Sequence, residues 1–189
     1  IFVLASTSGD LPWIDARRGL AFDGQTTVKL ATPSRFYELT KGLDAFTLEF
    51  RVRADLTLNT CTYGCRIFAA ASGDEHNLSV SSRQNMLRLA IRSSGGLTVD
   101  DYLDLVNGSE QHFFVTWDGS NLAVYVDSQK LVQSTPLIEP SAWAEAFPVT
   151  VGNSDVGDAG WTGELFLFAL YDHPLSDDER SRNLAAWEP

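Results

Sequence analysis

Hydrophobic and polar residues alternate along most of this chain with a period of two. In FTLEFRVRA, residues 46–54, every second residue from Phe46 onward is apolar, and MLRLAIRS, residues 86–93, repeats the pattern from Leu87. Successive side chains of a β-strand point to opposite faces, so each stretch predicts a strand with one buried face. The same pattern predicts further strands at residues 21–22, 28–30, 66–70, 77–80, 102–105, 149–151 and 164–171.

The stretch HFFVTWDGSNLAVYVDSQKL, residues 112–131, reads as a hairpin. Two alternating apolar runs flank Asp118-Gly119, a pair that commonly forms tight turns. Trp117 falls on the apolar face of the first run, which predicts a core residue rather than an exposed aromatic platform. Asp118 is predicted to form the turn rather than to bind a ligand.

Clusters of Gly, Asn, Asp and Ser separate the predicted strands. Many short strands at this spacing are typical of an all-β, two-sheet antiparallel β-sandwich or jelly roll. The C-terminal PLSDDERSRNLAAW predicts one short helix, because Ser176 and Glu179 have the spacing of a capping box. This helix is expected to pack Leu184 and Trp187 on the sandwich. Segment 134–147 is predicted to be an irregular crossing with one helical turn.

Five segments, in this order, resemble a known family: GLAFDG (19–24), AFTLEFRVRA (45–54), RIFAAASGDEHNLSV (66–80), the 112–131 hairpin and GWTGELFLFALYDHPLSDDE (160–179). They resemble laminin-G-like (LamG) domains of the concanavalin A-like lectin/glucanase superfamily, nearest to bacterial LamG-like domains attached to VanZ-type proteins. The resemblance implies a jelly roll with a curved concave face, a role in binding or adhesion, and frequently a calcium ion. It places the domain at residues 13–189, with residues 1–12 as an N-terminal strand or linker remnant.

Charge and composition narrow the function classes. The chain has 14 basic and 25 acidic residues, a net charge of −11, so no basic excess exists to replace phosphate counterions and a nucleic-acid partner is not expected. No apolar run reaches the ~20 residues that cross a bilayer. The only two cysteines, Cys61 and Cys65, are predicted to form a disulfide in an extracytoplasmic compartment (secreted, periplasmic or cell-surface tethered), with two free thiols as the alternative.

A calcium site is in doubt at the position that the resemblance implies. LamG-like domains often carry an acidic pair in their last long strand, where this chain has Phe166 and Leu167, and apolar side chains cannot bind a hard cation. Two acidic pairs on loops remain candidate calcium ligands: Asp74 with Glu75, and Asp155 with Asp158. The alternative is that all four are solvated loop charges.

Three groups of residues are candidates for ligand binding. The first group is four arginines on the polar faces of two predicted strands: Arg51, Arg53, Arg88 and Arg92. If those strands shared a sheet, the four side chains would form one strip, and guanidinium groups are suited to binding acidic glycans. Their alternative is cross-strand pairing with Glu49 and other acids. The loop GNSDVGDAGW offers Asn153 and Trp161, whose alternative is a scaffold role. His76 is a third candidate, on a loop at the rim, where it could titrate near neutral pH.

No catalytic motif stands out in the sequence. A glycosidase needs two carboxylates aimed at one bond, and no strand offers acids at suitable spacing. We therefore expect a non-catalytic module that binds glycans or cell-surface ligands. The alternatives are a structural or protein-interaction domain, which could self-associate by strand addition through the N-terminal segment, and a polysaccharide-active hydrolase or lyase.

Overall fold

The computed structural model describes residues 4–6, 14, 19–93 and 96–187. Within these residues there are thirteen strands: β1 Leu4–Ser6, β2 Leu20–Asp23, β3 Val28–Leu30, β4 Phe46–Ala54, β5 Cys65–Ser72, β6 Glu75–Arg83, β7 Met86–Ser93, β8 Gly96–Asp104, β9 Glu110–Trp117, β10 Leu122–Val126, β11 Gln129–Ser134, β12 Val149–Val151 and β13 Thr162–Tyr171. The predicted N-terminal segment contributes β1, and its other residues lie outside the described ranges. The proposed domain boundary at residue 13 stays a prediction.

The strands form two sheets with antiparallel pairing. The seven-stranded sheet has the order β1-β3-β12-β5-β6-β7-β8, and the six-stranded sheet has the order β11-β10-β9-β4-β13-β2. The apolar faces of both sheets meet in one continuous core. This arrangement confirms the predicted two-sheet antiparallel β-sandwich.

The period-two pattern decides which side chains enter the core. In β4, Phe46, Leu48 and Phe50 are at most 1% exposed and belong to the core. Trp117 is also buried, with its ring centroid 5.5 Å from that of Phe46, as predicted for a core residue. The carboxylate of Asp118 accepts backbone hydrogen bonds from the following turn residues at 2.7–2.9 Å, which confirms its role as a turn former.

The described residues contain two α-helices, where the sequence predicted one. Helix α2, Asp177–Ala185, begins with the predicted capping box. Helix α1, Pro33–Thr40, was missed, because only Phe36 and Thr40 of its residues are buried and no long apolar stripe marks it. The predicted helical turn in segment 134–147 corresponds to a 3-10 turn at Pro140–Ala142.

The packing of α2 differs from the prediction. Trp187 is 37% exposed and Leu184 is half-buried, whereas Arg180 is 8% exposed. The guanidinium carbon of Arg180 lies 3.8 Å from the ring centroid of Tyr125 on β10. Trp187 contacts the six-stranded sheet as predicted, with its ring centroid 5.3 Å from the guanidinium carbon of Arg51, but the most buried side chain of α2 is the polar Arg180.

Candidate functional site

The outer face of the six-stranded sheet is covered by α2. Glu49, which alternates with the core residues of β4, points away from the core yet is only 1% exposed. Its carboxylate accepts hydrogen bonds from His112 Nε2 at 2.7 Å, Tyr171 Oη at 2.5 Å and Asn183 Nδ2 of α2 at 2.8 Å. We call this side the helix-covered face.

The same contacts control ionisation on the helix-covered face. Burial pushes the pKa of Glu49 up, but the hydrogen bonds from His112 and Tyr171 outweigh burial and hold the pKa below its usual value. Burial and the adjacent carboxylate raise the pKa of Tyr171 to about 12. Glu49 is therefore an ionised, fully hydrogen-bonded carboxylate, enclosed beneath the helix.

The predicted arginine strip is not formed. Arg51 and Arg53 lie on β4 of the six-stranded sheet, whereas Arg88 and Arg92 lie on β7 of the other sheet. Their side chains alternate with core residues, so the two pairs project from opposite sides of the sandwich. The prediction of one strip was wrong because sheet membership depends on long-range pairing that a local pattern does not contain.

Ion pairs between described residues show the predicted alternative, pairing with acids, for Arg51, Arg53 and Arg92. Arg51 forms an ion pair with Glu110, and Arg53 lies 3.5 Å from Glu110. Arg53 also contacts Glu164 at 2.6 Å, and Arg92 contacts Glu75 at 2.6 Å. Arg88 donates a hydrogen bond to the backbone carbonyl of Tyr63 at 3.3 Å.

The outer face of the seven-stranded sheet has a different construction. Strand pairing places Arg66, Ser81 and Arg88 in one row across β5, β6 and β7. The next row is a layer of small side chains, none more than 2% exposed, comprising Thr150, Ala69, Ser79 and Ala90. Because the side chains of this row are small, the long side chain of a residue in the neighbouring row can lie flat on the sheet. We call this side the loop-bordered face, because loops rather than α2 surround it.

Arg66 is that neighbour, and it lies at the centre of a polar cluster. Arg66 is 9% exposed, and its Nη1 donates to Ser79 Oγ at 3.2 Å and to Ser81 Oγ at 3.3 Å. Nη2 lies 3.0 Å from His76 Nε2, and His76 Nδ1 lies 2.8 Å from Ser79 Oγ. We call Arg66, His76, Ser79 and Ser81 the Arg66 cluster.

The hydrogen bonds of the Arg66 cluster assign the protonation state of His76. A guanidinium has only donors, so His76 Nε2 must accept, and the ring proton lies on Nδ1. Burial and then the charge of Arg66 lower the pKa of His76 from 6.5 to about 4, so the ring is neutral at pH 7. His76 is 5% exposed. The prediction of a rim histidine that titrates near neutral pH was therefore wrong, because the side chain turns inward onto the sheet.

The loop that carries Asp155 and Asp158 meets β5 at Arg66, whose backbone N–H donates to the carbonyl of Ala159 at 2.8 Å, and Asp74 lies in the turn between β5 and β6. Burial lowers the pKa of Arg66, and the charges of Asp158, Asp74 and Asp155 oppose that shift. Within the described ranges, however, no carboxylate forms an ion pair with this guanidinium at 4.0 Å or less. The partners in direct contact with Arg66 are all uncharged.

These acids are the predicted calcium ligands. Glu75 pairs with Arg92, and Asp158 accepts a hydrogen bond from Ser154 Oγ at 2.6 Å. Among residues 4–6, 14, 19–93 and 96–187, no three His, Cys, Asp or Glu side chains are grouped as metal ligands. Calcium binding through Asp74, Glu75, Asp155 and Asp158 stays a prediction.

The predicted disulfide borders the Arg66 cluster. Cys61 and Cys65 are bonded, with their Cα atoms 5.1 Å apart. Inside this loop, Gly64 has φ +105°, and a Cβ there would lie 3.0 Å from Ser81 Cβ, so only glycine lets the loop approach the sheet this closely. Tyr63 at the loop tip is 76% exposed. The disulfide thus fixes the chain immediately before Arg66.

Asn153 and Trp161 are scaffold residues, as the predicted alternative held. Trp161 is 0% exposed and Asn153 is 1% exposed, so neither can present its side chain to a ligand. Asn153 Oδ1 accepts from the backbone N–H groups of Ser154 at 2.8 Å and Ala159 at 3.0 Å. These bonds shape the loop that carries Asp155 and Asp158.

The sequence reasoning missed Arg66, Ser79 and Ser81. The alternation in NLSVSS does place Ser79 and Ser81 on one face of a strand. It does not show that β5 brings a guanidinium across them.

No α-helix within the described residues is long and apolar enough to span a membrane.

Comparisons with known proteins agree with this architecture. A laminin G family model, described as the concanavalin A-like lectin/glucanases superfamily, matches residues 22–179. The binding domain of botulinum neurotoxin serotype D/C VPI 5993 superposes with a TM-score of 0.74 at 11% identity, covering 99% of this chain and 48% of that chain. The binding domain of Paraclostridial Mosquitocidal Protein 1 gives a TM-score of 0.73 at 12% identity, covering 98% and 48%.

A third similar structure is that of botulinum neurotoxin type C, whose cell entry is described as dependent on two ganglioside molecules. It superposes with a TM-score of 0.71 at 10% identity, covering 100% of this chain and 47% of that chain. This chain therefore spans about half the length of the solved structures it matches, and at this identity the likeness shows the fold alone.

No curated protein matches the chain in sequence. None of these comparisons supports a link to VanZ-type proteins. The family model covers most of the chain, which therefore belongs to a laminin G family of the concanavalin A-like lectin/glucanase superfamily.

Proposed function

We propose that this domain is a non-catalytic recognition module that binds glycans or cell-surface ligands through its loop-bordered face. The observation that carries the proposal is the Arg66 cluster, a guanidinium held by neutral partners on the outer surface of a sheet. A buried charge without a paired carboxylate is costly unless another group compensates it. A polar ligand at this face would supply that compensation.

The helix-covered face favours recognition over catalysis. Glu49, His112 and Tyr171 are the kinds of group that glycan-active enzymes use, and they lie within hydrogen-bonding distance of one another. Here Asn183 of α2 completes the shell around the Glu49 carboxylate. The Glu49 carboxylate is buried and accepts three hydrogen bonds, which favours a role in supporting the sandwich and its helix over a role in a reaction.

The solved structures with the same fold support the same class of function. They are described as binding domains, and one is described as depending on gangliosides for cell entry. Their chains are about twice as long as the region that this domain matches. Gangliosides and other surface glycans therefore define what to test, and an extracytoplasmic location, as the disulfide favours, would bring the domain into contact with them.

The test is binding of the full chain to a broad panel of neutral and acidic glycans, with calcium and with a chelator in parallel. Arg66→Ala probes the loop-bordered face, and Arg51→Ala, on the helix-covered face, is the matched control. We expect Arg66→Ala to abolish binding and Arg51→Ala to preserve it. Binding that needs calcium would assign an ion to Asp74, Glu75, Asp155 and Asp158.

Absence of binding to every glycan in the panel would refute glycan recognition. The protein-interaction alternative would then lead, with β1, an edge strand of the seven-stranded sheet, as the element for strand addition. Deleting residues 1–10 and measuring the association state by analytical ultracentrifugation would test it. Product release from any polysaccharide in the panel would instead show catalysis.

A further inference from the structure

The hydrogen bonds of Arg66 leave one edge of its guanidinium uncommitted. A guanidinium has five N–H donors in a fixed planar arrangement. Nη1 directs its donors to Ser79 and Ser81, and Nη2 directs one to His76. The N–H of Nε and the second N–H of Nη2 remain, and within the described residues neither has an acceptor. These two parallel donors form the fork that matches the two oxygens of a carboxylate.

The held geometry of this fork favours specific binding. Three hydrogen bonds on the opposite edge fix the plane of the guanidinium, so little side-chain freedom is lost when a ligand binds. The charge is permanent, because arginine does not lose its proton in proteins. Arg66 is only 9% exposed, so most of its side chain is already desolvated before a ligand binds.

The charge around the fork restricts the ligand. The charges of Asp158, Asp74 and Asp155 favour the charge of Arg66, that of Arg88 in the same row opposes it, and the chain as a whole carries −11. A polyanion such as a heavily sulfated chain would be repelled by these charges. A ligand with a single carboxylate and several hydroxyl groups fits better, because ionised aspartates are acceptors for hydroxyl hydrogens.

We propose that Arg66 binds the carboxylate of a singly charged acidic sugar unit, such as a uronic or sialic acid, with Asp74, Asp155 and Asp158 accepting hydrogen bonds from its hydroxyls. This inference rests on the proposed function and specifies its ligand class. His76, Ser79 and Ser81 are positioning residues, since they act by holding the guanidinium plane.

The decisive comparison changes the ligand and leaves the protein intact. Affinity of the full chain is measured by titration calorimetry or NMR for glycans that end in a glucuronic or sialic acid, and for the same glycans with that carboxylate converted to a primary amide. The amide keeps the shape and removes the charge. We expect at least about a tenfold loss of affinity for the amide, since a bidentate charge-assisted pair is replaced by a neutral contact. Equal affinity for acid and amide overturns the inference.

A matched pair of variants tests the fork itself. Arg66→Lys keeps the positive charge but loses the planar fork, and we expect it to weaken binding of the acid at least about tenfold while binding of the amide stays the same. Arg51→Lys, on the helix-covered face, should change neither. Full affinity for the acid in folded Arg66→Lys overturns the inference.

The outcomes separate this inference from the proposed function. If only neutral glycans bind, and Arg66→Ala still abolishes that binding, the recognition function stands and the carboxylate assignment fails. If no glycan binds, both fail. Binding of a heparin-like polyanion in preference to the singly charged glycans also overturns the assignment.

Discussion

His76 is a residue whose environment makes stability depend on pH. Its pKa is about 4 in the folded protein, against an ordinary 6.5. Between pH 6.5 and about 4, His76 is protonated in the unfolded chain but neutral in the folded protein. The contribution of His76 to the free energy of unfolding is therefore complete above pH 6.5 and declines as the pH falls to about 4. We expect unfolding free energy to fall by as much as about 3 kcal/mol across this window.

Urea denaturation at a series of pH values measures this decline. His76→Gln, whose amide oxygen can still accept from Arg66, should flatten the slope between pH 6.5 and 4. His173→Gln is the contrasting variant, because a hydrogen bond to Asp172 raises the pKa of His173, so its removal should not flatten the slope. An unchanged slope in His76→Gln would contradict the assignment of a neutral ring.

Trp161 illustrates a different residue-level effect. Its ring is 0% exposed, yet within the described residues its Nε1 has no hydrogen-bond partner. Trp161→Phe removes this unsatisfied donor together with some packing, so we expect a loss below about 2 kcal/mol, whereas Trp161→Ala should lose about 3–5 kcal/mol. Chemical denaturation of both variants checks the contrast. Similar losses would show that the indole nitrogen does have a partner in solution.

At the level of elements, Asn183 is one of the side chains that join α2 to the sheet, and its partner is Glu49 of β4. Asn183 Nδ2 donates to Glu49 Oε2 at 2.8 Å and lies 3.1 Å from Tyr171 Oη. Asn183→Ala removes one donor from a buried, ionised carboxylate, and we expect it to cost about 1–3 kcal/mol. Ser181→Ala, at an exposed position of the same helix, should change stability much less. Equal effects in a thermal or urea unfolding measurement would argue against a specific role for Asn183.

The disulfide loop connects stability with the candidate site. Closing a loop this short stabilises by about 2 kcal/mol on the chain-entropy model. Reduction, or the double change Cys61→Ser with Cys65→Ser, should therefore lower stability by about that amount, and it should weaken glycan binding because Arg66 follows Cys65 directly. Unfolding and binding are measured on the same sample, with and without reductant, and the double variant controls for other effects of the reductant. Unchanged binding after reduction would separate the loop from the site.

Local patterns predicted the elements that have strong local signals. β4, β7 and the β9–β10 hairpin follow from alternation and turn residues, and α2 follows from its capping box. β11 was missed because its sequence QKLVQS is largely polar, as suits an edge strand, and α1 was missed because only two of its residues are buried. The candidate site could not be predicted in the same way. Arg66 meets Ser81 only because β5 and β6 pair in one register, and the sequence does not encode that register in any short segment.

On the scale of the whole molecule, net charge sets the behaviour toward polyanions. With −11 overall, and with Arg51, Arg53 and Arg92 paired to acids, the domain is not expected to displace the counterions of a polyanion. We expect no retention on heparin resin at about physiological ionic strength, where charges interact over about 8 Å. Retention that disappears on raising the salt would contradict this expectation and would point to a basic patch.

The contrast between the two faces has a practical consequence for how the domain is handled and displayed. Trp187, the last described residue, lies against Arg51, with its backbone oxygen 3.1 Å from Arg51 Nη1 on the helix-covered face. A tag, bead or fluorophore attached after α2 would therefore lie on the helix-covered face, and the Arg66 cluster would point away from the support. A molecule immobilised after α2 should keep full ligand capacity. Coupling through Lys29 would instead modify the border of the loop-bordered face, because Lys29 Nζ contacts the Asp155 carbonyl at 3.2 Å.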